Sequence, residues 1–213
     1  MKKPNVTIRD VAALAEVSTA TVSRVLNDDP KVSEEARRRV RGAVESLSYR
    51  INQVARSLKT NSTRTIGVIA PALDSVFFML LAENLERELS KSGYSIFVCS
   101  SLESADEEKK RVKLMLERLV DALVIIPATD GGRHLASFIG KGTPILFIDR
   151  SVRDIEADAV IADNERGAFE ATRALISDGF DRIGFIGGSL DVSTARERYV
   201  GYKRAMDEAG LAV

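Results

Sequence analysis

One cysteine, Cys99, and one histidine, His134, are all the thiol and imidazole chemistry available to this chain of 213 residues. A metal centre needs several ligands at close spacing, and a Ser/His/Asp or Cys/His nucleophile needs a partnered histidine and an elbow motif; neither pattern is present. No catalytic residue, metal ligand or cofactor is expected, and a lone cysteine excludes an internal disulfide. Gly184-Phe-Ile-Gly187-Gly188 lacks G-x-G-x-x-G spacing, so it carries no dinucleotide fingerprint. The side chains left to do chemistry are the charged ones, and they are unevenly placed. Residues 1–60 hold twelve basic side chains against seven acidic, a surplus of five, although the whole chain balances at 31 Lys and Arg against 31 Asp and Glu. A basic head on an acidic body suggests a polyanion-binding module joined to a part that need not touch the polyanion. A solvated helix face would explain Arg37 to Arg41 alone.

The elements that must position these groups follow from length and periodicity. The chain is long enough for one or two domains, and 45% hydrophobic with 29% charged residues fits a soluble globular protein. No apolar run approaches the roughly 18 residues of a membrane span. Met1 to Arg9 shows no secretory pattern, so a protein that stays inside the cell, with no membrane partner, is expected. Thr7-Ile8-Arg9-Asp10 resembles a capping box, and Ile8, Val11, Ala12, Leu14 and Ala15 follow at helical spacing. Ser18 is a second N-cap candidate, with Val22, Val25 and Leu26 on the inner face of a helix ending near Asn27 to Pro30. Ser33 caps a third helix with Ala36, Val40, Val44 and Leu47 inside. Three short helices, two of them separated by a tight turn, give a helix-turn-helix module, whose second helix lies in the major groove.

The run from Val6 through Thr19-Ala-Thr-Val-Ser-Arg-Val-Leu-Asn27, followed by Val32-Ser33 and Leu47-Ser48-Tyr49, resembles the DNA-binding head of LacI/GalR-type bacterial transcription regulators. The resemblance implies that Thr19 and Ala20 read bases, with Arg24 one turn further on, and that Ser18, Thr21, Ser23 and Asn27 hold phosphates; Thr7 joins this DNA-facing set. Arg24 suits a bidentate contact to guanine, and Thr19 and Ala20 suit thymine methyls. Thr21 and Ser23 also read as plain surface polarity. Glu16 stands where the family usually has Gly in the turn, a strain on the order of 1 kcal/mol. Asn52 to Lys59 matches the family's hinge, which is helical only on DNA. Asn52, Ala55 and Leu58 are implied contacts there, with Ala55 and Leu58 entering the minor groove and Leu58 acting as an apolar wedge. A plain linker is the alternative. Ile51 replaces the family's common Pro.

From Thr65 onward, short apolar runs alternate with amphipathic stretches. Ile66–Ala70, Ile96–Cys99, Leu123–Ile126, Ile145–Ile148, Val160–Ile161 and Ile183–Ile186 read as buried parallel strands. Phe77–Lys91, Asp106–Leu119, Gly132–Gly140, Arg166–Ser177 and Thr194–Ala209 read as the helices between them, making a doubly wound parallel α/β sheet. Cys99 becomes a small core residue and His134 a surface helix residue. The expected organisation is a multidomain α and α/β chain: residues 1–50 the helix-turn-helix domain, 51–63 the hinge helix and linker, 64–213 the sensing body.

Ligands of such sheets sit beyond the carboxyl ends of the strands. Phe77-Phe78, Ile148-Asp-Arg150, Asp163-Asn-Glu-Arg-Gly167 and Arg198-Tyr-Val-Gly-Tyr202 resemble the family's periplasmic-binding-protein-like effector domain. By that resemblance Asp149, Thr194 and Arg198 are polar contacts to a small effector such as a sugar, and Asp74 and Phe77 form the near wall. Core packing for Phe77 or Phe78, and helix capping for Asp163-Asn164, stay open. The resemblance reaches only the opening strand-helix unit of a second sub-domain, so an incomplete body with a weakened sugar site is expected. A Rossmann-type enzyme and a sugar-binding transport protein share the alternation of the body, but neither explains residues 6–59. The reading is a cytoplasmic, nucleoid-associated regulator, a repressor acting as a homodimer on a palindromic double-stranded DNA operator.

Overall fold

The computed structural model describes residues 6–49, 62–140 and 142–213. The hinge residues Asn52, Ala55 and Leu58 therefore lie outside the described residues. The chain separates into two units, Met1–Asn61 and Ser62–Val213. Among the described residues no helix is long and apolar enough to cross a membrane.

The first unit holds α1 (Ile8–Leu14), α2 (Thr19–Leu26) and α3 (Glu34–Ser46). Each start is set by its cap. Ser18 Oγ accepts from the Thr21 N–H at 3.1 Å and Ser33 Oγ from the Ala36 N–H at 3.3 Å. At α1 the carboxylate does the capping: the Thr7 N–H donates to Asp10 at 2.7 Å and the Thr7 hydroxyl at 2.8 Å. These bonds from Thr7, backbone first, hold the Asp10 carboxyl below its ordinary range. The three helices close over Val11, Ala12, Ala15, Val22, Val25, Val40 and Ala43.

Glu16, between α1 and α2, has φ +52°. That conformation crowds any Cβ, so the turn carries the strain its sequence implies. Glu16→Gly should stabilise this unit by about 1 kcal/mol, a rise of roughly 4–8 °C in its melting transition. The exposed Arg39–Glu16 ion pair lost with it, at 3.8 Å, is worth little. An unchanged transition by circular dichroism would show that the turn stores no strain.

The second unit is built on β1 (Thr65–Ala70), β2 (Ser95–Ser100), β3 (Ala122–Ile125), β4 (Ile145–Ile148) and β5 (Asp158–Val160), all parallel in the order β2-β1-β3-β4-β5. Strand residues alternate between two faces. Ile66, Val68 and Val124 face one cluster with Leu85 and Leu89 of α4 (Val76–Ser90). Ile69, Leu123, Ile125 and Phe147 face the other with Val112 and Met115 of α5 (Ala105–Glu117). Gly67 makes that second face possible: a Cβ there would lie 2.7 Å from Leu123 Cδ2 and 3.1 Å from Met115 Sδ. Two further helices, α6 (Asn164–Ser177) and α7 (Ser193–Glu208), pack on each other. Their crossing admits only glycine at position 201, where a Cβ would stand 2.1 Å from the Glu165 carbonyl oxygen.

Four expectations fail here. Ile183–Ile186 forms no strand: among the described residues it has no neighbour to complete a ladder, and apolar β-propensity without a partner leaves backbone groups unpaired. Phe185 instead stacks on Tyr202 at 5.2 Å, whose hydroxyl donates to the Ile183 carbonyl at 2.8 Å. Gly132–Gly140 forms isolated turns rather than a helix, since glycine at both ends weakens an already short segment. His134 is accordingly no surface helix residue; its ring is largely buried against α5. The fifth strand also begins earlier than Val160, at Asp158.

Candidate nucleic-acid interface and effector pocket

Burial of Val22 and Val25 fixes which way α2 faces. Thr19, Ala20 and Arg24 project from the opposite side and are exposed, as are Ser18 and Asn27, while Thr21 and Ser23 are half-buried. Two of these polar groups also serve their own helix. Ser18 Oγ caps its start and lies 3.0 Å from Thr21 Oγ1, and Asn27 Nδ2 donates to the Ser23 carbonyl at 2.8 Å. Arg37 pairs with Glu34 at 3.3 Å and Asp28 at 3.6 Å, Arg41 with Asp28 at 3.5 Å, and Arg39 with Glu16. Arg24 has no carboxylate partner among the described residues. The run Arg37 to Arg41 is thus partly neutralised within its own unit, whereas Arg24 presents a free guanidinium beside two small side chains.

In the second unit the sheet order reverses between β1 and β3, the position at which such sheets open a crevice. Asp149 follows β4 in a left-handed conformation, φ +68°, pinned by its N–H to the Val160 carbonyl at 2.9 Å. A non-glycine residue held there stores strain, as functional sites often do. Burial raises the Asp149 carboxyl above its ordinary range, against the opposing charges of Arg150 and Arg198. Arg198 is oriented by Asn164, whose Oδ1 accepts from its Nε at 2.8 Å. Asn164 is itself buried and donates to the Ala162 carbonyl at 3.1 Å. Of the pair read as possible caps, Asp163 caps α6 through the Arg166 N–H, and Asn164 positions Arg198.

Thr194 is buried in the first turn of α7, one turn before Arg198, whose charge acts on the Asp149 carboxyl. Asp74 and Phe77 do not join them by any hydrogen bond or ion pair. Asp74 lines a surface groove between α4 and β2, with Val76, Met79, Leu80, Ile96 and Val98. Phe77 is exposed and meets Phe78 edge-on at 5.4 Å; Phe78 is the ring that reaches Arg150, at 5.7 Å.

Two neighbours complete this end of the unit, Arg150 from the motif after β4 and Glu108, which the sequence reading did not single out. Arg150 is buried, donates to both Glu103 oxygens at 2.8 and 3.1 Å and to the Pro127 carbonyl at 3.0 Å, and keeps an unpaired Nε 3.9 Å from Asp149. Glu108 of α5 is fully buried; it accepts from the Ala128 N–H at 2.6 Å and is hydrogen-bonded to His134 Nε2 at 2.7 Å. Arg150 was legible as part of the Ile148-Asp-Arg150 motif at the strand end, whereas its hold on Glu103 and the burial of Glu108 were not.

Residues 7–52 match bacterial regulatory proteins of the lacI family, and residues 63–213 match the periplasmic binding proteins and sugar binding domain of the LacI family. The chain is 38% identical over 207 residues to the HTH-type transcriptional repressor PurR of Aliivibrio salmonicida, covering 96% of this chain and 62% of that protein. Among solved structures, the lac repressor dimer bound to operator and the anti-inducer ONPF superposes with a TM-score of 0.85 at 26% identity, over 98% of this chain and 64% of that one. The complex of the transcriptional regulator CelR with cellobiose gives a TM-score of 0.60 at 27% identity, over 99% and 63%. The chain therefore spans about 62% of the length of the PurR relative it matches. With residues 7–52 and 63–213 matched, both units are covered, and the chain belongs to the LacI family of bacterial regulatory proteins.

Proposed function

We propose that this chain is a sequence-specific transcription repressor of the bacterial cytoplasm and nucleoid, not an enzyme, which binds a palindromic operator as a homodimer and responds to a small effector, a sugar. The observation that carries the reading is the outward face of α2, where an unpaired Arg24 stands beside Thr19 and Ala20 on a helix locked from behind by Val22 and Val25. Such a helix offers a guanine-reading fork and a methyl-sized surface at the groove. Ser18, Thr21, Ser23, Asn27 and Thr7 would position it on phosphates. Asn52, Ala55 and Leu58 would follow the chain into the minor groove.

Two further observations support the partners. Val76, Phe77, Met79 and Leu80 expose apolar surface on α4, beside Ile96 and Val98 on the edge strand β2, which fits a second copy of the chain and the paired half-sites a dimer reads. Asp149, Thr194 and Arg198 combine a carboxylate, a hydroxyl and a guanidinium, the groups that bind sugar hydroxyls, and a relative carries cellobiose.

The test is selection of sites from random DNA followed by titration in increasing salt, with glucose, ribose and cellobiose each added in turn. A repressor of this kind enriches a palindrome, loses affinity steeply with salt because it releases condensed counterions, and shifts with one sugar. Equal affinity for selected and random DNA would sink the reading. In the same assay Leu58→Ala should reduce DNA bending, measured by FRET between duplex ends, and lower affinity while sparing the fold. Undiminished bending would make the hinge a plain linker.

A further inference from the structure

Helix α7 begins without help from its own side chains. Its N-cap is Val192, which offers no side-chain acceptor to the first-turn N–H groups. That first turn nevertheless carries the buried Ser193 and Thr194, with Arg198 one turn on. Contacts from outside the helix must fix its entry, and those that hold residues 191 and 196 come from Asp130.

The Asp130 N–H donates to the Asp191 carbonyl at 2.9 Å, and the Asp130 carbonyl accepts from the Arg153 N–H at 2.9 Å. Its carboxylate, 7% exposed, pairs with the guanidinium of Arg196 on α7 and with that of Arg153, between β4 and β5, at 3.0 Å. Neither arginine has another carboxylate partner among the described residues. One more bond runs alongside, from the Ser151 N–H to Ser193 Oγ at 3.0 Å.

Asp130 is also a fixed anchor. It sits on the segment between β3 and β4, which Glu108 holds through the Ala128 N–H on one side and His134 on the other. The joint it makes is polar throughout: the hydrophobic clusters of the sheet include no residue of α6 or α7. No apolar packing from those clusters can substitute for the ion pairs.

We propose that Asp130 is a positioning residue for the effector site: by gripping Arg196 and the Asp191 backbone it sets where Thr194 and Arg198 stand relative to Asp149. This rests on the effector reading above. A buried carboxylate that neutralises two guanidinia on two segments forms or breaks as a unit, because losing it orphans both charges. The grip is therefore specific to the start of α7, and its loss should be felt there before it is felt in the sheet.

Hydrogen–deuterium exchange on the 213-residue chain tests this without any ligand, so failure of every sugar to bind would count against the effector reading alone. In Asp130→Asn the amides of residues 190–200 should exchange at least about tenfold faster, with β1 and β3 unchanged. Arg196→Gln should reproduce the effect, the double variant should add nothing further, and Arg196→Lys should restore most of the protection. Unchanged exchange at 190–200 overturns the proposal, and so does equal acceleration in β1 and β3, which would make Asp130 a general stabiliser. Should Asp130→Asn fail to fold, Arg196→Gln decides alone, because it leaves Asp130 paired with Arg153.

Discussion

Glu108→Ala should cost the second unit about 2–6 kcal/mol, roughly 1–3 kcal/mol for each of the two buried groups it leaves without a partner. The carboxylate is fully buried, and both its oxygens are engaged, one by His134 and one by the Ala128 N–H. Alanine leaves both partners facing a void, whereas Glu108→Gln keeps an acceptor for Ala128 and a hydrogen-bonding atom for His134. The glutamine variant should therefore stay close to the parent in a urea melt while the alanine variant loses most of its cooperative transition. Equal stability of the two would show that the pair is dispensable. The acid limb supplies a second reading. Burial holds the Glu108 carboxyl above its ordinary value of 4.5, although His134, the Ala128 N–H and the Arg150 charge pull it down. A raised folded pKa means that the fold prefers the protonated acid, so its contribution is complete below 4.5 and disappears as pH rises through the raised value. Glu108→Gln should flatten that part of the stability profile, and a profile identical to the parent's would assign the dependence to other groups.

Arg24→Ala is expected to weaken binding to the cognate site by about 1–3 kcal/mol, roughly five- to 150-fold, and to relax the preference at one base pair. The size of the effect follows from the unpaired state of the guanidinium: it gives up no intramolecular ion pair to reach a base, unlike Arg37, which is held by Asp28 and Glu34. Arg37→Ala should accordingly change the stability of the head more than its sequence preference. The measurement is anisotropy on cognate and random duplexes at one fixed salt concentration. A loss from Arg24→Ala that is equal on both would make the residue a phosphate contact instead of a base reader.

What the residues disclosed in advance, and what they withheld, divides along sequence distance. Ser18 and Ser33 mark the helix starts they later cap, and the runs at Ile66, Ile96, Leu123 and Ile145 become strands, because caps and apolar periodicity are local signals. Ile183–Ile186 has the same composition yet stays irregular, since a strand also needs a neighbour. His134 looked like a surface residue because its partner, Glu108, lies on another element, and nothing local announces that pairing. The resemblance pointed to Asp149 and Arg198 together, and the charge of Arg198 acts on the Asp149 carboxyl. The roles of Asn164 and Asp130 were not legible, because an Asx residue at a loop end reads equally well as a cap, and only the fold brings Arg198 and Arg196 to them. Asp74 failed to join the same cluster because the turn after β1 directs it toward the α4–β2 groove.

The parallel order of the strands sets a timetable for folding. The contacts of the head lie among α1, α2 and α3, which are near neighbours in the chain, so loop closure costs it little and it should fold quickly. The sheet cannot do the same: Ile66 meets Ile96 only after α4 has been made and Ala122 only after α5 as well, and Leu123 waits for Ile145. During synthesis the head leaves the ribosome first, complete in its own contacts, while β1 still has two open edges. A nascent chain thus leaves one edge of β1 open until β2 follows about thirty residues later and the other until β3 follows some fifty residues later, and Arg64 and Thr65 at its start, together with Gly67 within it, temper that apolar edge meanwhile.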